Sequence, residues 1–190
     1  MALKAQQTHP YMANKVCISD FEIKSTMSFF FDTNIWMYLY CPLGNYKRKE
    51  QEITSNFLAS LLRTKCEIAI TSLSLSEFAN AYIKLDYNLW KKEMKTPEAI
   101  YKKDYLPTDR CQKTQSLIEE GINQIMALTV RYPDDFNSVD ISEILQNFKI
   151  ADFNDSYYLT LARQRDWIIL TDDQDFYKVK TSVTLISVTN

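Results

Sequence analysis

The chain has 190 residues, of which 46% are hydrophobic, and this length and composition suit one domain with a well-formed core. Its net charge of -2 argues against a generally basic surface for nucleic acid, so any phosphate-binding surface must be local or assisted by a metal ion. No apolar stretch approaches the length of a membrane span, and residues 1–28 lack the apolar core of a secretory signal. We therefore expect a cytoplasmic protein with no membrane partner.

The rare residue types narrow the chemistry further. The one histidine, His9, lies in a polar amino-terminal segment, which argues against Ser-His-Asp and Cys-His sites. The four cysteines are widely spaced and form no C-x-x-C pair, so they predict neither a zinc site nor a disulfide framework. With only two glycines, the chain lacks a Gly-rich phosphate loop and a dinucleotide-binding fingerprint. A metal ion bound by carboxylates is therefore the kind of site for which the chain still has the necessary residues.

In chain order, residues 1–27 resemble an appended arm, and we expect the ordered domain to begin at residue 28. Short apolar runs rich in β-branched and aromatic residues predict strands at 28–31, 67–71, 167–170 and 184–188. Amphipathic periodicity and capping residues predict helices at 35–40, 47–63, 74–90, 110–131, 140–148 and 152–165. This alternation of strands and helices predicts an α/β fold with a central parallel sheet.

A long region, about 86–150, carries no strand signal and is expected to be a helical insertion broken at Pro97 and Pro107. Within it, the stretch from Tyr82 to Lys113 mixes lysines with tyrosines and a tryptophan, a combination that suits single-stranded nucleic acid. Acidic residues in the same stretch leave open that it is only a solvated helical face. The nucleic-acid-binding candidates are Lys91, Lys92, Lys102 and Lys103.

Acidic residues follow the two most apolar predicted strands at the points where these strands end. Asp32 comes directly after the first, and Asp172 and Asp173 follow the other. Glu77 and Asp155 stand near the starts of predicted helices. Ligands of open parallel sheets bind beyond the carboxyl ends of the strands, and crowded carboxylates repel one another unless a hard cation binds them. The pattern predicts an acidic metal-binding pocket.

Helix capping is the alternative explanation for several of these acids. Asp32, Asp152 and Asp155 all stand where a helix amino-terminal cap is expected, and aspartate is a preferred cap. Capping explains each of them singly but gives no reason for the whole set to meet at one edge of a sheet.

These residues resemble the PIN domain family, small metal-dependent nucleases that include the VapC-type toxins. The matching parts are an apolar strand ending in Asp32-Thr33-Asn34, a helical Glu77 after a serine-rich start, and Asp155 opening a helix that leads to a strand. The fourth part is the Thr-x-Asp-x-Asp-Phe motif at 171–176. The resemblance covers residues 28 to about 85 and 150–188. It implies a three-layer fold, with a central parallel sheet flanked by helices, for a domain at 28–190 that includes the helical insertion.

The resemblance also implies the roles of the four acids. Asp32, Asp155 and Asp173 would bind Mg2+ or Mn2+ directly or through water, and Glu77 would hold a water ligand or a second ion. All four are thus catalytic as well as metal-binding candidates. A water activated by the metal would attack an RNA phosphodiester in line and leave 5'-phosphate and 3'-hydroxyl ends. The implied activity is that of a metal-dependent endoribonuclease.

Other polar residues beside these four are expected to orient them by hydrogen bonds or to serve as turn and cap residues. They are Thr33, Asn34, Asp152, Thr171, Asp172 and Asp175. Asp172 competes with Asp173 for the position of fourth acid. Asp173 is preferred because Thr-x-Asp is the spacing of the family.

The implied partners are an RNA substrate and, for the toxin of a toxin-antitoxin pair, an antitoxin protein. Pairing through an exposed sheet edge leaves a homodimer open. A PIN fold that binds RNA or a protein without cutting is the main alternative, although the complete set of acids argues against it. A phosphatase with an aspartate nucleophile is a further alternative, but that chemistry usually needs a second acid where Asn34 stands.

Overall fold

The computed structural model describes residues 14–43 and 48–189, which form one sheet with helices on both faces. The strands are β1 (Asn14–Cys17), β2 (Ser28–Phe31), β3 (Glu67–Ile70), β4 (Val130–Arg131), β5 (Trp167–Thr171) and β6 (Thr184–Ser187). The α-helices are α1 (Thr33–Tyr40), α2 (Arg48–Thr64), α3 (Ser72–Met94), α4 (Asp109–Leu128), α5 (Ile141–Asn147) and α6 (Phe153–Arg165). Among these described helices, none is both long and apolar enough to cross a membrane.

All strand pairs of the sheet are parallel, and the strand order is β1-β6-β5-β2-β3-β4. Strand β2 lies in the middle, where Ser28 pairs with Glu67 of β3 on one side and with Trp167 of β5 on the other. After β2 the chain moves outward through β3 and β4, and later returns to the other side of β2 with β5. The carboxyl ends of β2 and β5 thus flank the point where the strand order reverses, which is where open α/β sheets bind ligands.

Alternation along β2 explains the three layers. Phe29 and Phe31 point to one face of the sheet, where they pack with apolar residues of α1, α2, α3 and α4. Phe30 points to the other face, where it packs with residues of α5 and α6 and stacks on Trp167 of the neighbouring strand β5 at 5.7 Å between ring centroids. Both faces of the strand are buried, so it appears in the sequence as a continuous apolar run. The predicted α/β fold with a central parallel sheet is confirmed.

Part of the predicted amino-terminal arm belongs to this sheet. Strand β1 pairs with β6 as an edge strand, with Val16 opposite Ile186, whereas we expected the ordered domain to begin at residue 28. Phe21 then packs edge-on against Phe29 and Phe57. The four residues of β1 have no apolar run of their own, so their pairing depends on β6. Residues 1–13, including His9, lie outside the described residues, and the domain boundary at residue 28 stays a prediction.

The region predicted to lack strands contains β4. Helix α4 ends at Leu128, Thr129 is extended, and Val130 then pairs with Ala69 of β3. The expectation of an entirely helical segment over 86–150 is therefore wrong at this point. The strand has two residues, both exposed, and such a short pairing leaves no periodic signal in the sequence.

A buried aspartate joins α3 to the remainder of the helical region. Asp86 is 1% exposed and accepts hydrogen bonds from the Tyr105 hydroxyl at 2.6 Å, the Thr114 hydroxyl at 2.6 Å and the Arg110 guanidinium. Burial by itself raises the pKa of Asp86, but these donors outweigh it and hold the pKa below its ordinary value. Arg110 also pairs with the exposed Glu93. This network fixes α4 and the π-helical turn Tyr101–Tyr105 against α3.

We expect Asp86→Ala to lower the free energy of unfolding by about 3 kcal/mol, because it leaves three buried or half-buried donors without their acceptor. Urea unfolding followed by circular dichroism measures this loss. Glu93→Ala is the matched control, since its side chain is 60% exposed and such a pair contributes at most about 1 kcal/mol. Equal losses in the two variants would contradict a stabilising role for the Asp86 network.

Candidate active site

An open cavity of about 400 Å³ lies at the carboxyl ends of β2 and β5, where the strand order reverses. Its walls come from the start of α1, one face of α3, the start of α6 and the segment after β5. The acidic residues that line it, among the described residues, are Asp32, Glu77, Asp152, Asp155 and Asp173. The four acids proposed from the sequence as catalytic are thus brought to one cavity, although they are up to 141 residues apart in the chain.

Asp32 caps helix α1 and is held at the floor of the cavity. Its carboxylate accepts a hydrogen bond from the Thr33 backbone N–H at 2.6 Å and another from the Thr171 hydroxyl at 2.7 Å. The β2–β5 register places Thr171 opposite Asp32, because Phe31 pairs with Leu170. Burial raises the pKa of Asp32 to about 7; the charges of Glu77 and Asp173 add to this, while the two hydrogen bonds oppose it.

Asp155 lies in the first turn of α6 and is 5% exposed. Its backbone N–H donates to the Asp152 carboxylate at 2.9 Å, so Asp152 is the cap of this helix. Within the described part of the chain, no hydrogen-bond donor reaches the Asp155 carboxylate itself. Burial raises the pKa of Asp155 to about 9, and the charges of Asp32, Asp152, Asp173 and Glu77 contribute to the rise. A buried carboxylate without a donor needs either a proton or a cation.

Glu77 reaches the cavity from the second turn of α3 and is oriented by a residue that the sequence analysis did not select. The Tyr158 hydroxyl, buried in α6, donates to the Glu77 carboxylate at 2.7 Å. Burial, with the charge of Glu77 and this hydrogen bond, raises the pKa of Tyr158 well above its ordinary value, so the phenol stays a donor. Tyr158 lies one turn after Asp155 on α6, a helical spacing that identifies it as a neighbour of the site.

The neighbouring acids after β5 have different surroundings. Asp173 lines the cavity, and its carboxylate accepts a hydrogen bond from the Asp175 backbone N–H at 2.9 Å. Asp172 instead accepts from the Tyr38 hydroxyl at 3.1 Å and the Thr189 backbone N–H at 3.2 Å, and it does not line the cavity. The side chain of Asp175 forms an ion pair with Lys178 at the surface.

The remaining polar candidates are close to these acids. Thr33 and Asn34 line the cavity, and the Asn34 side-chain oxygen accepts from the Asp172 backbone N–H at 3.4 Å. The Thr171 hydroxyl joins two of the acids, since it donates to Asp32 and accepts from the Asp173 backbone N–H at 3.0 Å. The hydroxyl of Thr33 is buried and has no hydrogen-bond partner among the described residues.

The four lysines proposed to bind nucleic acid do not line this cavity. Lys91 and Lys92 lie in the last turn of α3, where the Lys91 ammonium is 4.7 Å from the centre of the Tyr87 ring. Lys102 and Lys103 lie in the π-helical turn and are exposed. Lys84, in the same basic stretch but not one of the four, is the basic residue that does line the cavity within the described residues.

The donor set fits a hard divalent cation. It consists of carboxylate oxygens, at least one of them buried without a donor, beside a buried hydroxyl that lacks a partner. Across residues 14–43 and 48–189, however, no three potential ligands are close enough to form a finished metal cluster. Carboxylates that repel one another separate by small side-chain rotations, and a cation bound in the shared cavity would draw them together. The geometry therefore provides the donors without fixing a coordination sphere.

Comparisons with known proteins identify the family. The family model that describes PIN domain sequences matches residues 29–181 of the chain. Among solved structures, VapBC2 from Rickettsia felis, bound to a DNA fragment from its promoter, has a TM-score of 0.53 and 16% identity, covering 84% of this chain and 97% of that one. PAE2754 from Pyrobaculum aerophilum has a TM-score of 0.44 and 15% identity, covering 87% of this chain and 88% of that one. A comparison with curated proteins gives no match.

The family match includes Asp32, Glu77, Asp155 and Asp173, and it extends across the helical region between Glu77 and Asp155. It covers well over half of the 190 residues. The first of the two solved structures shares the fold at an identity too low to transfer an activity. From the extent of the family match and the parallel α/β sheet with its acidic cavity, we conclude that this chain belongs to the PIN domain family.

Proposed function

We propose that this chain is a Mg2+- or Mn2+-dependent endoribonuclease that hydrolyses RNA phosphodiester bonds. The observation that carries the proposal is the acidic cavity, where Asp32, Glu77, Asp155 and Asp173 meet from four different segments of the chain. Burying or crowding these carboxylates destabilises the charged forms of Asp32 and Asp155, as their raised pKa values indicate. Nuclease chemistry is general in PIN domains, and a bound cation would stabilise the charged forms of these acids.

In this proposal the four acids have different tasks. Asp32, Asp155 and Asp173 hold the cation, and the Thr171 hydroxyl keeps the Asp32 carboxylate oriented. Glu77, fixed by the Tyr158 hydroxyl, orients a water molecule. The cation, when bound, would supply positive charge for the phosphate and a water of lowered pKa. The open cavity leaves room for a nucleic-acid backbone beside the acids.

We further propose that the chain is the toxin of a toxin-antitoxin pair and acts on cytoplasmic RNA. Its resemblance to the VapC-type toxins supports this, and the fold that it shares with VapBC2 is compatible with it. Purification together with the product of a neighbouring open reading frame tests the antitoxin partner. Light scattering of the isolated chain tests the homodimer.

The activity is tested by incubating single-stranded RNA with the purified chain in Mn2+ and, separately, in a chelator. We expect cleavage only with the metal, and products with 5'-phosphate and 3'-hydroxyl ends. Cyclic 2',3'-phosphate ends would contradict the proposal, because they arise from attack by the RNA's own 2'-hydroxyl. RNA binding without cleavage, under all metal conditions, would favour the non-cleaving module.

Asp173→Asn and Asp172→Asn form a matched pair for the same assay, since the residues are adjacent and the change is identical. We expect Asp173→Asn to lower cleavage at least about a hundredfold, because it removes a charge that faces the cavity. Asp172→Asn should instead lower the melting temperature, since it weakens the contacts of Asp172 with Tyr38 and Thr189. The reverse pattern would make Asp172 the fourth acid.

A further inference from the structure

One face of helix α3 extends from the acidic cavity along the surface. Glu77, Ala81, Lys84, Leu85 and Asn88 all line the cavity, and each lies three or four residues from another of them, so they share one face of the helix. With a rise of 1.5 Å per residue, Lys84 lies about 10 Å beyond Glu77 along the helix axis, and Asn88 lies one turn further. The acidic end of this face thus continues into a basic and then a neutral polar part.

Lys84 is unusual in its surroundings. It lines a cavity with five acidic residues, yet none of the ion pairs found among the described residues involves it. The other cavity-lining residues on its own helix beyond Glu77 are uncharged. Its ammonium group is therefore not used to neutralise the acids, and it remains available to a ligand that enters the cavity.

We propose that Lys84 binds an RNA backbone phosphate that flanks the scissile one, and that the face of α3 from Glu77 to Asn88 is the path along which the RNA lies. This inference rests on the proposed nuclease function and adds the residue that holds the substrate. A polyanion approaching several carboxylates meets repulsion, and a cation bound among the acids offsets it only locally. A lysine two turns away offsets this repulsion for the next phosphate. The Asn88 amide adds a neutral hydrogen-bond donor for the part of the RNA backbone that lies further along the helix.

The position of Lys84 argues for a flanking phosphate. The scissile phosphate must lie among Asp32, Asp155 and Asp173, which come from the sheet edge and from α6. Lys84 approaches the cavity from α3, beyond Glu77, and is exposed. Its contribution should therefore appear in RNA binding and in KM, with kcat little changed, because the contact is equally present before and during the reaction.

The first test measures binding without cleavage. A fluorescein-labelled 12-nucleotide single-stranded RNA is titrated with the Asp32→Asn protein, with and without Lys84→Gln, from 50 to 250 mM salt. We expect Lys84→Gln to weaken binding about two- to tenfold. The negative slope of the logarithm of the association constant against the logarithm of the salt concentration should become shallower by about 0.7. Lys84→Arg, which keeps the charge, should restore both.

Lys24→Gln is the matched control in the same background. Lys24 is an exposed lysine that precedes β2, at the opposite edge of the sheet from the cavity, and its neutralisation should change neither affinity nor slope. If Lys84→Gln and Lys24→Gln behave alike, or if the RNA is not bound at all, the proposal is wrong.

The second test uses the length of the RNA in the cleavage assay. With the 12-nucleotide RNA, Lys84→Gln should raise KM about two- to tenfold, whereas a dinucleotide with a single phosphodiester should show no difference. A fall in kcat on both substrates would assign Lys84 to the scissile phosphate and overturn the flanking assignment. If the wild type cuts no RNA but Lys84→Gln still changes the salt slope, the RNA path is supported while the nuclease proposal is refuted, so the two failures are distinguishable.

Discussion

Asp32→Asn should abolish RNA cleavage while leaving the fold and RNA binding largely intact. Asparagine is nearly isosteric with aspartate and is an equally good helix cap, so the contact with the Thr33 backbone N–H can remain. The substitution removes a negative charge that we assign to metal binding. We expect a loss of about a thousandfold or more in cleavage rate, which corresponds to about 4 kcal/mol in activation free energy. Gel-based cleavage in Mn2+ and RNA binding by fluorescence anisotropy measure the two properties.

Asp140→Asn is the control that separates catalysis from capping. Asp140 caps α5 through the backbone N–H groups of Ser142 and Glu143, and it does not line the cavity. We expect wild-type cleavage from this variant. If Asp32→Asn cuts RNA as fast as the wild type, the observed activity comes from a contaminating nuclease or from another site.

The stability of the metal-free protein should fall as the pH rises from about 5 to about 9. The folded-state pKa of Asp155 is raised to about 9 and that of Asp32 to about 7, both from an ordinary value of 3.8. Between these values and about pH 4, the folded state holds protons that the unfolded state has released. Each such proton makes the free energy of unfolding decrease by about 1.4 kcal/mol per pH unit. The stabilisation that these protonated acids give the folded state is fully present below about pH 4. It decreases as the pH rises and is lost once the pH passes the folded-state pKa.

Thermal unfolding at pH 5.5 and pH 8.5 in a chelator measures this effect. We expect the melting temperature of the wild type to fall between pH 5.5 and pH 8.5 by roughly 5 to 10 °C more than that of Asp155→Asn, which cannot ionise at this position. Millimolar Mg2+ should raise the wild-type melting temperature, most strongly at pH 8.5, because it binds the ionised acids of the folded state. Asp155→Asn should blunt that rise.

Two results would contradict this prediction. Parallel pH profiles of the wild type and Asp155→Asn in the chelator would mean that ionisation of Asp155 does not destabilise the folded protein. The absence of any thermal shift with Mg2+ or Mn2+ in the wild type would remove the main support for a metal site. Ca2+ is a useful comparison, since it also prefers oxygen ligands but accepts a wider range of geometries.

Strands β2, β3, β5 and β6, the α-helices between them and the acids at their ends could be predicted from the sequence because they depend on local patterns. Strand β2 is buried on both faces, so its apolar run is continuous, and Asp32 marks its end. The same holds for β5, where Thr171 is the last strand residue and Asp173 follows. Ligand sites of parallel sheets lie at one edge, so two such strands were enough to predict that their acids meet.

Other features were decided only by tertiary contacts. Strand β1 exists because β6 offers it an edge, and β4 because β3 does. The different surroundings of Asp172 and Asp173 depend on Tyr38, which is 134 residues from Asp172 in the chain. No local pattern encodes these contacts, since each depends on how elements distant in sequence pack together.

The sequence by itself determined which acids of this PIN domain meet at one cavity, because strand ends and helix starts follow from local sequence patterns. The tertiary structure decided how these residues are supported. It brings the Tyr158 hydroxyl of α6 to Glu77 of α3, and among the lysines of the described residues it places Lys84, and not Lys91 or Lys102, at the cavity. The physical reason is that charge and hydrogen bonding act over a few ångströms, so the partner of each acid is set by the packing of helices on the sheet.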